Sequence, residues 1–364
     1  MTTALERTPI DPSRLSQAAQ RALIPGPAKM MAARGLAPLP HPGELISVLY
    51  QLTLDPEPEL ARSADKSARE LPDRILEGAL ADASVDPRVL DFFAEVVQGR
   101  AELVQHIILN PAVADQTIAS LCQRASASDI DLIAQNEERL LRHPEIIGAM
   151  FNNREARMST VDRAIELAVR NGITVPGIPS WDAMVNAIMG GGREQDSKAP
   201  AEKSDELFAR ATRDAEEQPS SPESDSKTPI SQMTVPQKIR LATLGSLTAR
   251  SVLIRDPNRV VALTAIKAPG VSDIEAGKYA GNHSLTDDVI KYIASRRDWT
   301  KSYGVKLSLV QNPKTPIPAA IRLMPHIREK DLRSIARSKG IPSAVVAQAR
   351  KLLMQRTRQP GGKK

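Results

Sequence analysis

Aromatic rings are scarce in this chain: Phe, Trp and Tyr together supply 3% of its residues. A core so poor in rings has to be built from Leu, Ile, Val, Ala and Met, a set better suited to closely packed helices. Cysteine is scarcer still. Cys122 is the single one, which excludes an internal disulfide framework. Its place in the apolar run Ile118, Leu121, Cys122 predicts a small buried side chain and not a nucleophile. No run of 18 apolar residues occurs, and the stretch from Met1 to Gln20 carries Glu6 and Asp11 without an apolar segment, so neither a membrane span nor a signal peptide is expected. The cytoplasm is the default compartment. No stretch shows the strict alternation of a surface strand bounded by Asn-Gly or Asp-Gly turns, and an all-α chain is expected.

Chemistry-bearing motifs are missing as well. His41, His106, His143, His283 and His326 lie far apart, with no i,i+4 pair and no cysteine cluster to make a metal site. Ala276-Gly277-Lys278-Tyr279 fails as a phosphate loop, because six residues separate Gly277 from Gly270 and Tyr stands where Ser or Thr would hold magnesium. The acid pairs Asp287-Asp288 and Glu137-Glu138 read as helix-start or surface residues. No enzyme, cofactor or metal is expected.

What is present is a recurring stop between helix-length apolar stretches. It falls at Asp55-Pro56, Asp82, Asn110-Pro111 and Asn136 in the first half, and at Asp256-Pro257-Asn258, Asn282, Asn312-Pro313 and Ser338-Lys339 in the second. The steps are 26 to 30 residues, the period of helical hairpins that bury their apolar faces only by stacking. Asn and Asp tolerate the backbone that ends a helix, and a following Pro blocks its continuation. Most of the 28 prolines sit at such joints. Thr315-Pro316 is expected to cap and open a helix, and Ser284 with Asp287 has the spacing of a capping box. Ile317, Ala320, Ile321 and Met324 form one helical stripe, followed by Leu332, Ile335 and Ala336 and then Val345, Val346, Ala349, Leu352 and Leu353.

The net charge of +6 conceals a division. Residues 228–364 carry 25 Lys and Arg against 8 Asp and Glu, a net of +17, whereas the rest of the chain is −11. Between the blocks, Gly190-Gly191-Gly192 opens a Ser/Pro/Glu-rich stretch interrupted only by Leu207 and Phe208. Too little apolar surface is available there to offset the entropy of ordering. The expected organisation is a flexible segment 1–42, an acidic helical-repeat domain 43–190, a disordered linker 191–227, a basic helical-repeat domain 228–357 and a basic tail 358–364. The fold class is thus two short α-solenoids joined by a linker.

The segments Leu253-Ile254-Arg255-Asp256-Pro257-Asn258 and Leu309-Val310-Gln311-Asn312-Pro313-Lys314-Thr315-Pro316 resemble the joints of variant leucine-rich and HEAT-like repeats. The resemblance covers roughly 43 to 190 and 233 to 357, and Lys306 to Leu353 is similar to bacterial repeat proteins. It implies α-solenoids whose exposed faces bind proteins or, less often, nucleic acid.

The candidate partner-binding surface is the basic series Lys291, Arg296, Arg297, Lys301, Lys306, Arg322, Arg333, Arg337 and Lys339. Trp299 and Tyr303 lie within it. Four residues apart, they fit one face of a helix as core residues, while Arg beside Trp and Tyr also fits a stacking surface for nucleic acid. The expected role is a scaffold whose basic face docks a protein with an acidic surface; nucleic acid is the alternative partner, and no membrane is expected.

Overall fold

A computed structural model of the chain describes residues 5–190, 201–213, 230 and 232–358. Among these residues it is entirely helical, with 23 α-helices and no strand. Two compact units divide it, Met1–Ile178 and Pro179–Lys364. The first contains α1 (Gln17–Ala22), α2 (Pro27–Ala33), α3 (Pro42–Thr53), α4 (Pro58–Glu70), α5 (Asp73–Leu80), α6 (Pro87–Val96), α7 (Ala101–Leu109), α8 (Asp115–Cys122), α9 (Ala127–Ala134), α10 (Glu137–Arg142), α11 (Glu145–Asn152) and α12 (Met158–Arg170). The second contains α13 (Trp181–Met189), α14 (Ala201–Arg213), α15 (Val235–Leu244), α16 (Leu247–Leu253), α17 (Arg259–Lys267), α18 (Asp273–Ala280), α19 (Asp287–Ser295), α20 (Tyr303–Gln311), α21 (Ile317–Leu323), α22 (Glu329–Arg337) and α23 (Ser343–Arg358).

Short helices need packing to persist, and each unit supplies it largely by stacking a helix on one two places along. In the first unit α5, α7 and α9 form one row, while α6 and α8 form the other, which α11 continues. In the second, α15, α17 and α19 make one row and α18 packs on α20. Prolines stand in the first turn of α2, α3, α4, α6, α15 and α21, where no intrahelical partner for an amide is lost. The buried side chains are mainly Leu, Ile, Val and Ala, as the scarcity of rings requires.

Several expectations need correction. Of the segment 1–42, expected to be flexible, the described residues 5–42 are packed: α1 and α2 bury Ala19, Ala22, Ala32 and Ala33, and Ile10 is buried ahead of them. Small side chains allow close helix contact without the large apolar stripe by which a packed helix is recognised. The first unit ends at Ile178 and not at 190, because α13 buries Met184 and packs on α15. Within the stretch 191–227, residues 201–213 form α14, whose Phe208 is buried beneath the Arg240 guanidinium, 4.1 Å from the ring centroid. The remainder of that linker and the tail beyond Arg358 lie outside the described residues.

Local start signals also differ. α21 begins at Ile317 with Pro316 at its cap, and Thr315 is buried without capping it. Ser284 makes no capping box, since its hydroxyl donates to Asn282 Oδ1 at 2.7 Å and Thr286 occupies the cap. The buried face of α21 is Ala320 and Leu323, with Met324 following; Ile317 is exposed and Ile321 half-buried.

Candidate functional site

The repeat joints hold the surface in place through three buried asparagines. Asn110 Nδ2 donates to the carbonyls of Leu80 (2.7 Å) and Asp82 (3.0 Å), at the end of the helix that precedes it in the row. Asn312 Nδ2 does the same to Ala280 (2.7 Å), and Asn153 Nδ2 to Cys122 (2.7 Å) and Ala125 (2.9 Å). Each side-chain oxygen accepts the amide two residues on, at Ala112, Lys314 and Glu155. One carboxamide thus shapes its own turn and satisfies carbonyls that the end of another helix leaves without partners. Aspartate, or Asn282, serves where only the turn is made. Asp82 accepts from Ser84 N and Asp256 from Asn258 N, both at 2.8 Å. Asn136, expected to be a joint of the same kind, instead caps α10 by accepting Arg139 N at 3.0 Å. Asn153 takes the joint's place. Sequence spacing missed it because α9 and α10 intervene and no proline follows it.

Ion pairs link helices of adjoining repeats in the first unit. Arg142 binds Asp115 through two nitrogens at 2.8 and 2.9 Å, Arg157 binds Asp131 at 2.6 Å, and Arg100 binds Asp73 at 3.1 Å, each across 26 or 27 residues. The Arg142 hydrogen bonds hold the Asp115 carboxyl below the usual carboxylate range against the opposing effect of its burial. These arginines are therefore occupied by their own unit.

In the second unit Arg259 pairs in the same way with Asp288 of α19 at 2.5 Å, but the candidate cations face solvent. Lys291, Arg296, Arg297, Lys301, Arg322, Arg333, Arg337 and Lys339 are exposed, and Lys306 is half-buried. Among the described residues only Lys301 and Arg333 in this set pair with a carboxylate, Asp298 and Glu329 respectively. Arg322 donates to the Ala294 carbonyl at 3.2 Å. The structure spreads the set along the chain: Lys291 lies on α19, Arg296, Arg297 and Lys301 in the turn after it, Lys306 on α20, Arg322 on α21, Arg333 and Arg337 on α22, and Lys339 after it.

The two rings among these residues do not form a free stacking platform. Trp299 is buried in a 3-10 turn, edge-on to Tyr292 at 5.9 Å, with Arg296 over it at 5.6 Å. Tyr303 opens α20, so the two do not share one helix face. Its hydroxyl donates to Asp331, accepts Arg328 N at 3.1 Å, and its ring lies under the Arg328 guanidinium at 4.6 Å. Tyr292, unremarked among the sequence candidates, is the half-buried ring of this surface, with Lys267 Nζ 5.6 Å from its centroid.

Buried polar chemistry in this unit is internal. Glu275 accepts from Arg250 at 3.2 and 3.1 Å and from the Tyr279 hydroxyl at 2.7 Å, while Arg250 also donates to the Gly245 carbonyl at 2.8 Å. Burial, reinforced by Glu275, pushes the Tyr279 phenol far up. Burial likewise raises the Cys122 thiol far above its ordinary range. Gly277 and Lys278 lie inside α18 and form no loop. Among the described residues there is no cluster of His, Cys, Asp and Glu suited to a metal, and no helix is long and apolar enough to cross a membrane. No family model, curated protein or solved structure matches the chain.

Proposed function

We propose that the chain is a non-enzymatic cytoplasmic scaffold of the HEAT-like or variant leucine-rich kind, whose second unit docks a protein with an acidic surface. One observation carries the reading: seven of the nine candidate cations of the second unit have no carboxylate partner among the described residues, whereas Arg100, Arg142 and Arg157 of the first unit are taken up by carboxylates of neighbouring helices. Unpaired, exposed cations attract anionic partners and raise association rates. Protein is favoured over nucleic acid because Trp299 is buried and Tyr303 is engaged within its own unit, leaving few rings for bases.

The test compares the full chain with a variant carrying Arg296→Glu, Arg297→Glu, Arg333→Glu and Arg337→Glu. Each is immobilised in cell lysate, with and without nuclease, and retained proteins are identified by mass spectrometry. The reading expects a nuclease-resistant protein that the variant fails to retain. Retention equal on both chains refutes it. Retention abolished by nuclease, with duplex DNA bound steeply less as salt rises, replaces it with nucleic-acid binding.

A further inference from the structure

The two units share a register that brings one helix face of each into correspondence. Asp82-Ala83-Ser84-Val85 and Asn282-His283-Ser284-Leu285 make the same turn: Ser84 N and Oγ meet Asp82 Oδ1 at 2.8 and 2.7 Å, and Ser284 N and Oγ meet Asn282 Oδ1 at 2.9 and 2.7 Å. Beyond the turn, Val89, Leu90, Phe93 and Ala94 of α6 are buried, as are Val289, Ile290, Ile293 and Ala294 of α19. The outward positions therefore correspond as well: Asp91 with Lys291, Phe92 with Tyr292, and Glu95 with Ser295.

In the first unit that outward face is covered by an extended segment of the chain itself. Leu5 N donates to Asp91 Oδ2 at 3.2 Å, Arg7 pairs with Glu95 at 2.5 Å, and the Arg7 guanidinium lies 5.3 Å from the Phe92 centroid. Tyr50 donates to the Thr8 carbonyl at 2.9 Å, and Ile10 N donates to Gln51 at 2.8 Å. The face thus holds the segment by Asp91 on Leu5 N, Arg88 on the Pro9 carbonyl at 2.9 Å, a ring and a charge pair, while the Tyr50 and Gln51 bonds come from α3. Its carboxylates, Asp91 and Glu95, select a segment bearing Arg7.

In the second unit the equivalent positions lack both carboxylates: Lys291 stands where Asp91 does and Ser295 where Glu95 does, with Arg296 one residue on, while Asp288, at the Arg88 position, is taken up by Arg259 at 2.5 Å. Lys291 and Arg296 are exposed, Tyr292 is half-buried, and Lys267 reaches the same ring. We infer that the α19 face docks an extended, acidic peptide segment of a partner protein at the place that Leu5 to Arg7 take on α6, with carboxylates meeting Lys291 and Arg296. This rests on the scaffold reading and narrows it to one face and one class of ligand.

The test uses the full chain and a fluorescein-labelled peptide copying residues 1–12 with Glu in place of Arg7, followed by fluorescence anisotropy at low and moderate salt. Lys291→Glu/Arg296→Glu is expected to weaken binding about tenfold or more, with the helical circular dichroism and melting temperature unchanged, and the peptide with Arg7 intact to bind more weakly than its Glu counterpart. Equal affinity for wild type and the double variant, or no binding to wild type, overturns the inference. If binding is lost instead in Arg333→Glu/Arg337→Glu, the α19 assignment fails while docking on the basic surface stands. A twelve-nucleotide single strand that displaces the peptide at lower concentration than unlabelled peptide does also overturns it, in favour of nucleic acid.

Discussion

Replacing Asn312 with Ala should destabilise the second unit by about 3 kcal/mol. The side chain makes a 2.7 Å bond to the Ala280 carbonyl and accepts Lys314 N at 3.0 Å, while its 3.4 Å approach to the Asn282 carbonyl is too long to count for much. Each of the two good bonds leaves a partner with nothing in its place, at a cost of about 1–2 kcal/mol. Asn312→Asp should cost more, about 4 kcal/mol or above at neutral pH, because it sets a carboxylate oxygen against the Ala280 carbonyl in a buried site. That excess should respond to acid. Burial raises the introduced carboxyl above its unfolded value of about 3.9. The native state then binds the extra proton first, and the penalty shrinks as pH falls through the folded pKa toward the unfolded one. A protonated Asp also regains a donor for the carbonyl. Urea unfolding followed by tryptophan fluorescence measures this directly, since Trp181 and Trp299 both lie in the second unit. A shift below about 0.5 kcal/mol for Asn312→Ala, or an Asp penalty that does not change between pH 7 and pH 4.5, would refute the role assigned to the carboxamide.

Glu275→Gln should destabilise the same unit by about 3–5 kcal/mol, since it strands the buried Arg250 charge; the paired change Arg250→Met/Glu275→Leu should lie much closer to wild type, and the opposite order in urea would sink the account. Phe208→Ala should cost about 3 kcal/mol by emptying the site under Arg240. An unchanged tryptophan transition would mean that α14 does not contribute to the second unit's core. Asp115, with its folded pKa held low by Arg142, contributes stability that is present above the unfolded value of about 3.9 and is lost as pH falls through the folded one. Acid unfolding followed by circular dichroism should therefore be shallower in Asp115→Asn, and identical profiles would count against a stabilising pair.

Joints were legible in the sequence because a turn that ends one helix and starts another favours few residue types. Asp55, Asp82, Asn110, Asp256, Asn282 and Asn312 all accept an amide two residues on. Residue type alone does not separate a joint from a cap, which is how Asn136 came to stand for Asn153. Apolar periodicity located α22 correctly through Leu332, Ile335 and Ala336 but misjudged α21, where starting the helix at Ile317 turns Ala320 and Leu323 inward and leaves Ile321 at the edge. The exposure of the basic residues was legible because unpaired Lys and Arg are rarely buried. What covers the matching face of the first unit was not. Its contacts, Leu5 to Asp91 and Arg7 to Glu95, join residues 86 and 88 positions apart, and no local pattern records them.

The two kinds of joint contact explain how one helical frame carries surfaces of opposite charge. Asn110, Asn153 and Asn312 bond main-chain carbonyls, which every residue provides, so the joint is indifferent to the side chains displayed outside it. The inward positions of α6 and α19 need only be apolar and of suitable size, and Phe93 and Ile293 both qualify. Exposed outward positions are then free to change, as from Glu95 to Ser295, whereas Asp91 also accepts from Thr117 of α8 at 2.6 Å and its replacement by Lys291 goes with Ile317 at the Thr117 position. A charge difference as large as −11 against +17 across the chain needs no difference in helix packing to accommodate it. In the first unit Arg7 meets Glu95 from within the chain; in the second, on the reading proposed above, an acidic partner brings the opposite charge from outside.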